Sequence, residues 1–434
     1  MYRLATNVIP PGLALLLTAT SPKTIRSLGS VRHGLGEHIQ IQGAVDQFKH
    51  LAERGTLVVT PTHCSHLDSI VLGYAVYMLG MQPLLYGAGL NLFNNPITSF
   101  FMNNLGAYRV DRKKSAPLYK DILKEYATIG LELGYDNLFF PGGTRSRSGA
   151  IETHLKKGLL GTGIAAYVNN LVAARPKPNV WIVPCTISYQ LVLEAETLID
   201  DYLKEVGKSR YIIEDDEFSR PARILHFLSD IISLEGRVVL TFSEPLDIVG
   251  NRVDADGNSL DPRGRAVDPA RYVMRDGVPV HDEQRDHEYT SELAERMVEA
   301  FLRDNVIMAT HVVAHAAMDI LRRSNPELDL YRLLRTGGAL PWIGSNELAG
   351  EVDSVRTALR GLSSGPRLDG ALERRDARAI VDDALRHFAT YHTTAALVRR
   401  GEQIYHRDRN LLLYYSGRLQ GYDLRRRTDG RAAA

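Results

Sequence analysis

Apolar residues along this chain follow two patterns. Between about residues 55 and 245, short apolar runs alternate with stretches of helical spacing. From about residue 286 onward only the helical spacing remains. Leu57-Val58-Val59-Thr60 predicts a buried strand stopped by Pro61, and residues 66–80 predict an apolar helix that Gly80 ends. Further strands are predicted at Leu84 to Gly87, Ala107 to Val110, Asn137 to Phe140, Val180 to Pro184 and Arg237 to Phe242, with a helix over 116–133. Strands alternating with helices predict an α/β fold, a mostly parallel central sheet flanked by helices with a helical C-terminal region.

The same pattern divides the chain. Residues 1–45 read as a helical or irregular lead-in with a possible membrane contact, 46–250 as the α/β domain, and 286–434 as the helical region. Residues 251–285, rich in Asp, Arg, Gly and Pro, read as a polar linker or excursion with a hairpin near Tyr272 to Val280. Ser291 to Asn305 is amphipathic, and the helical pattern resumes through His311 to Arg323. No internal repeat is visible.

Charge and composition narrow the function classes. Lys and Arg total 52 against 51 Asp and Glu, a net charge of +1, which disfavours a dedicated nucleic-acid binder but allows a local cationic pocket. With Cys64 and Cys185 as its two cysteines, the 434-residue chain has neither a disulfide scaffold nor a Cys-rich metal centre. No run of about eighteen apolar residues exists to span a bilayer. The apolar stretch Gly12 to Ala19 is short and follows Pro10-Pro11, so a helix on a membrane surface or against the next domain is expected rather than a secretory signal.

Candidate chemistry gathers at the predicted strand ends. In Thr62-His63-Cys64-Ser65-His66-Leu67-Asp68, His63 and Asp68 lie about 140° apart on a continuous helix. They can meet only if His63 sits on the turn before the helix and Asp68 in its first turn, the arrangement of a general base held by a carboxylate. Ser65-x-x-Asp68 also has the form of a capping box, and Cys64 is a candidate thiol nucleophile. Phe140-Pro141-Gly142-Gly143-Thr144-Arg145-Ser146-Arg147 combines exposed backbone N–H groups with two guanidinium groups, which suits an anion and phosphate above all, a tight turn with solvated arginines being the plain alternative. Arg109, Arg112, Lys113 and Lys114 crowd another strand end, where a solvated edge is the plain alternative. Val183-Pro184-Cys185 leaves the core through a proline.

In order and spacing these segments resemble the glycerolipid acyltransferases, which include the glycerol-3-phosphate and 1-acylglycerol-3-phosphate acyltransferases. His63 and Asp68 match the family's His-x-x-x-x-Asp, Gly106 to Arg112 its second motif, Phe140 to Ser146 its Phe-Pro-Glu-Gly-Thr-Arg-Ser, and Ile182 to Pro184 its fourth. Arg145-Ser146-Arg147-Ser148-Gly149, Gly87-Ala88-Gly89, Phe242-Ser243-Glu244-Pro245 and Asn410 to Tyr415 with Arg418-Leu419 look closer to the glycerol-3-phosphate and dihydroxyacetone-phosphate branch. One departure stands out, since Gly142 occupies the position of the family Glu.

The resemblance implies acyl transfer from an acyl thioester, of coenzyme A or acyl-carrier protein, to a hydroxyl of glycerol 3-phosphate or a related phosphorylated acceptor. His63 would be the base and Asp68 its orienting partner, while Arg112, Gly143, Thr144, Arg145, Ser146 and Arg147 would bind substrate. It implies no metal, no acyl-enzyme and no cofactor beyond the thioester. Peripheral attachment to the cytoplasmic face of a membrane is expected, with Arg418, Arg425, Arg426, Arg427 and Arg431 as candidate contacts to anionic lipid and a basic disordered tail as the plain alternative. A thioester hydrolase, or a lipid-binding protein impaired by Gly142, are the competing readings.

Overall fold

The computed structural model describes residues 38–93, 106–111, 114, 116–206, 237–422 and 424. Its centre is a seven-stranded sheet formed by β1 (Ile39–Gly43), β2 (Thr56–Pro61), β3 (Leu85–Gly89), β4 (Ala107–Val110), β5 (Asn137–Leu138), β6 (Val180–Tyr189) and β7 (Val238–Phe242). The spatial order is β1-β7-β6-β2-β5-β3-β4, and every pair is parallel except β6 with β7. The expected mostly parallel sheet is therefore present.

Every residue of β2, β6 and β7 is buried, which explains why these strands read as unbroken apolar runs rather than as an alternation. Successive side chains point to opposite faces, so Leu57 and Val59 enter one core with Trp181 and Val183, while Val58 and Ile182 enter the other. Helices α1 (Val45–Ala52) and α2 (Asp68–Met78) contribute to the first core. Helices α3 (Pro117–Glu132) and α4 (Thr162–Val172) contribute to the second.

Two strands depart from the expected pattern. Ile39–Gly43, read as part of the lead-in, is instead the edge strand β1, which pairs in parallel with β7 roughly two hundred residues later. Its Ile-Gln-Ile-Gln alternation is that of a strand exposed on one side. β6 also continues five residues beyond Pro184, to Tyr189. Proline is tolerated there because antiparallel pairing with β7 begins only at Cys185, so the missing N–H breaks no bond of that ladder. The Thr186–Tyr189 half of β6 thereby overhangs the carboxyl end of β2.

Residues 251–285 hold short paired strands, including the expected hairpin, Met274–Arg275 with Val278–Pro279. Ahead of it lies a repeat that the sequence reading missed. Asp247, Asp254 and Asp261 each begin a turn whose fourth residue is Gly250, Gly257 or Gly264, all at positive φ. Each aspartate carboxylate accepts the backbone N–H four residues on, from Asn251, Asn258 and Arg265. The seven-residue period folds Arg252–Val253, Ser259–Leu260 and Ala266–Val267 into a small meander. It escapes notice because only Asp and Gly recur strictly.

α5 (Ala195–Val206) lies within the α/β part, and the helical region includes α6 (Glu283–Asp304), α7 (Ala309–Arg323), α8 (Ser345–Arg360), α9 (Ala377–Phe388) and α10 (Arg409–Gly417), with shorter helices at Leu330–Thr336 and Gly370–Arg374. α7 is buried on nearly all sides because α8, α9 and α10 surround it. Its residues Val312, Val313 and Ala316 belong to the same apolar core as Leu57, Val59 and Phe242. The helices are thus built onto the sheet rather than tethered to it.

Candidate functional site

The carboxyl end of β2 is where the chemistry collects. Pro61 ends the strand, and Thr62 ties the following turn to β6, its N–H donating to Cys185 O at 2.9 Å while its hydroxyl accepts Ile187 N–H at 3.0 Å. His63 lies on this turn and Asp68 opens α2, as the spacing required. His63 Nδ1 and Asp68 Oδ2 are 2.8 Å apart, with Asp68 fully buried. Donation from Nδ1 to the carboxylate leaves the lone pair of the neutral ring on Nε2, the atom that can accept a proton.

The capping box suggested by Ser65 and Asp68 is only half formed. Asp68 Oδ2 also accepts the N–H groups of Cys64 at 2.7 Å and Ser65 at 3.0 Å, but the Asp68 N–H donates to the Ser65 carbonyl at 3.2 Å rather than to its hydroxyl. Asp68 Oδ1 accepts the Tyr189 hydroxyl at 2.6 Å, delivered by the overhanging half of β6. Burial, followed by the Asp68 charge, pushes the Tyr189 phenol well above its ordinary range, so it remains a donor. The His63 ring stacks on Phe140 at 4.0 Å between centroids, and the His63 carbonyl accepts Ser146 N–H at 2.8 Å. The first and third motifs are therefore one bonded unit.

Cys64 does not suit a nucleophile. It is buried, and burial pushes its thiol up to about 12 despite the charge of Arg418, whose Nη1 lies 3.3 Å from Sγ.

The arginines of the third motif are already engaged. Arg145 Nη1 meets Glu194 Oε1 at 3.3 Å, and the buried Glu194 carboxylate also accepts Ser65 Oγ at 2.7 Å and His66 N–H at 2.9 Å. Arg147 pairs with Glu205 on the surface. Ser146 Oγ donates to Ala150 O at 2.7 Å, and Thr144 is exposed. Gly143 has φ +75, and Lys156 Nζ comes within 2.5 Å of where its Cβ would be, which adds a cation at this strand end that the sequence reading did not single out. Arg109 is exposed with its guanidinium over the Phe93 ring. Arg112 lies outside the described residues, as do Arg425, Arg426, Arg427 and Arg431. Among the described residues no group of three or more His, Cys, Asp or Glu could hold a metal ion.

Arg418 differs from its expected role. It is buried, so it cannot serve as a contact to anionic lipid. It reaches from just past α10 to Ile187 O at 2.8 Å, Ser188 Oγ at 3.1 Å and Asn305 Oδ1 at 2.7 Å. His311 of α7 holds the same strand, with Nε2 at 3.0 Å from Tyr189 O and Nδ1 accepting Met308 N–H at 3.1 Å. Burial and the nearby Arg418 charge push the His311 imidazole down to about 3, so it stays neutral. The C-terminal helices therefore fix the strand whose Tyr189 holds Asp68. Tyr189, Glu194 and His311 had no local sequence signal, and that of Arg418 pointed elsewhere, because each acts through a partner more than a hundred residues away.

Residues 43–188 match the model of the Acyltransferase family. A glycerol-3-phosphate acyltransferase of Aeromonas hydrophila is 33% identical over 51% of this chain, and one of Histophilus somni is 30% identical over 51%. The chain spans about a quarter of the length of these relatives, 25% and 26% respectively. The solved 1-acyl-sn-glycerophosphate acyltransferase of Thermotoga maritima aligns over 69% of this chain and 91% of its own, at 16% identity and a TM-score of 0.31.

Proposed function

We propose that residues 43–188, which match the Acyltransferase family model, form an acyltransferase domain of the glycerol-3-phosphate branch, and that the protein transfers a fatty acyl group from a coenzyme A or acyl-carrier-protein thioester to a hydroxyl of glycerol 3-phosphate or a related phosphorylated acceptor. The observation that carries this reading is the bonded unit of His63, Asp68 and the Arg145 loop. His63 Nε2 takes the proton of the acceptor hydroxyl, and Asp68 stabilises the imidazolium. The oxygen attacks the thioester carbonyl to give a tetrahedral oxyanion. Collapse expels the thiolate, which receives the proton from His63. Arg145, Arg147 and Lys156 supply positive charge for the acceptor phosphate, with Arg112 as a further candidate and the Gly143 to Ser146 backbone beside them. No cofactor is needed beyond the thioester co-substrate.

A phosphate that binds Arg145 competes with Glu194 for the same guanidinium. The buried Glu194 then serves to aim Arg145 before the acceptor arrives. In an assay of purified protein with acyl-CoA or acyl-carrier protein, thiol release should rise with added glycerol 3-phosphate and match the acylated product formed. Thiol release indifferent to every acceptor, with free fatty acid as product, would establish the hydrolase instead.

The acyl products partition into bilayers, and no helix among the described residues is long and apolar enough to cross one. The reading therefore includes peripheral attachment at the cytoplasmic face. Leu118, Ile122, Tyr126, Ile129 and Leu133 support it, forming a single exposed row along α3 and its cap, each between 44% and 71% exposed. Substituting Leu118→Glu with Ile122→Glu should remove the protein from floated anionic liposomes at low salt without lowering Tm. Equal flotation of the variant would clear α3 of this role.

A further inference from the structure

One group beside the base has no part in the transfer scheme. Glu152 Oε1 accepts the His63 backbone N–H at 2.8 Å, while Oε2 is buried with no hydrogen-bond partner among the described residues. Burial pushes this carboxyl up to about 8, against the pull of the His63 N–H and the Arg418 charge, so at neutral pH it is largely uncharged. An uncharged carboxyl still accepts through its carbonyl oxygen, so the bond to His63 N–H does not depend on ionisation.

The same carboxyl lies against Gly142. A Cβ at 142 would fall 2.8 Å from Glu152 Oε1, 2.9 Å from its Cγ and 3.1 Å from its Cδ. A side chain at 142 and the Glu152 carboxyl are thus alternative occupants of one space. His63 is gripped at its N–H by Glu152, at its carbonyl by Ser146 N–H, and at its ring by Asp68 and Phe140. Of these contacts, the Glu152 bond is the side-chain restraint that acts on the backbone of the base.

Building on the proposed reaction, we propose that Glu152 is a positioning residue for His63, a carboxyl that fills the space left by Gly142 and fixes the backbone from which the base projects. The prediction is reciprocal. Glu152→Gln keeps an acceptor at Oε1 and should retain at least about a third of kcat. Glu152→Ala frees the turn and should lower kcat by roughly 10- to 100-fold, with KM for both substrates little changed, since misplacement of about 1 Å costs on that order. Gly142→Glu should be similarly impaired because its Cβ displaces Glu152. The double variant Gly142→Glu/Glu152→Ala should recover well above either single variant, because the new side chain enters vacated space.

Full kcat in Glu152→Ala, or a double variant no better than the product of the two single losses, would overturn the proposal. If Glu152→Ala does not fold, Gly142→Ala against Glu152→Gln makes the same comparison with smaller perturbations. The His63 backbone amide resonance separates this inference from the reaction it builds on. In Glu152→Ala that resonance should move, because its acceptor is gone, and in Glu152→Gln it should stay near its wild-type position. If the wild-type protein proves unable to transfer acyl groups, the reaction is refuted, and that resonance still decides Glu152. An unmoved His63 amide in Glu152→Ala would count against it.

Discussion

Asp68→Asn should fold normally and transfer acyl groups roughly 10- to 10³-fold more slowly. Three donors converge on Asp68 Oδ2, from His63 Nδ1, Cys64 N and Ser65 N, and the two backbone donors cannot turn away. An asparagine must therefore present its oxygen to them, which also keeps the His63 tautomer. Its amide then faces Tyr189, whose hydroxyl can rotate to accept. What is lost is the negative charge beside the imidazolium. An opposite charge at this range is worth about one to three pKa units, hence the predicted loss in rate. Asp68→Ala should be slower still and lose thermal stability, because it orphans buried donors. The check is kcat together with Tm for both variants.

Arg418→Ala should be among the most destabilising single substitutions, costing roughly 3 kcal/mol or more and lowering Tm by several degrees. It removes donors from Ile187 O, Ser188 Oγ and Asn305 Oδ1 and leaves a void beside Cys64. Arg418→Met, which refills the volume without the charge, should recover much of the lost stability. Neither variant should recover full activity, because Tyr189 follows directly on Ser188 and holds Asp68. Thermal melts and kcat on the same preparations make the comparison. Wild-type Tm in Arg418→Ala would show that the C-terminal helices do not brace the site through this residue.

Much of the site was legible in the sequence because its determinants are local. Pro61 marks the end of a strand, and His63 and Asp68 can meet only across a strand-to-helix turn, which is what forms. The helix over 116–133 was legible for the same reason, and it appears as Pro117–Glu132. Elements that depend on distant partners were not legible. β1 is a strand only because β7 pairs with it, and β6 runs past Pro184 only because β7 arrives antiparallel at Cys185. Arg418 reads along the chain as one of several late arginines free to meet lipid, yet it is buried and its partners lie more than a hundred residues earlier. The exchange of Gly142 for a side chain looked like a loss in one dimension. In three dimensions Glu152 lies against the gap.

The central claim is that His63, oriented by Asp68, is the base for acyl transfer to a phosphorylated alcohol. Its most direct test is mass-spectrometric detection of the acylated product from acyl thioester and glycerol 3-phosphate, with wild type and His63→Ala run side by side. The account predicts product from the wild type and a rate roughly 10³-fold or more lower in the variant, with its Tm retained. Near-equal product formation by the two proteins would contradict it.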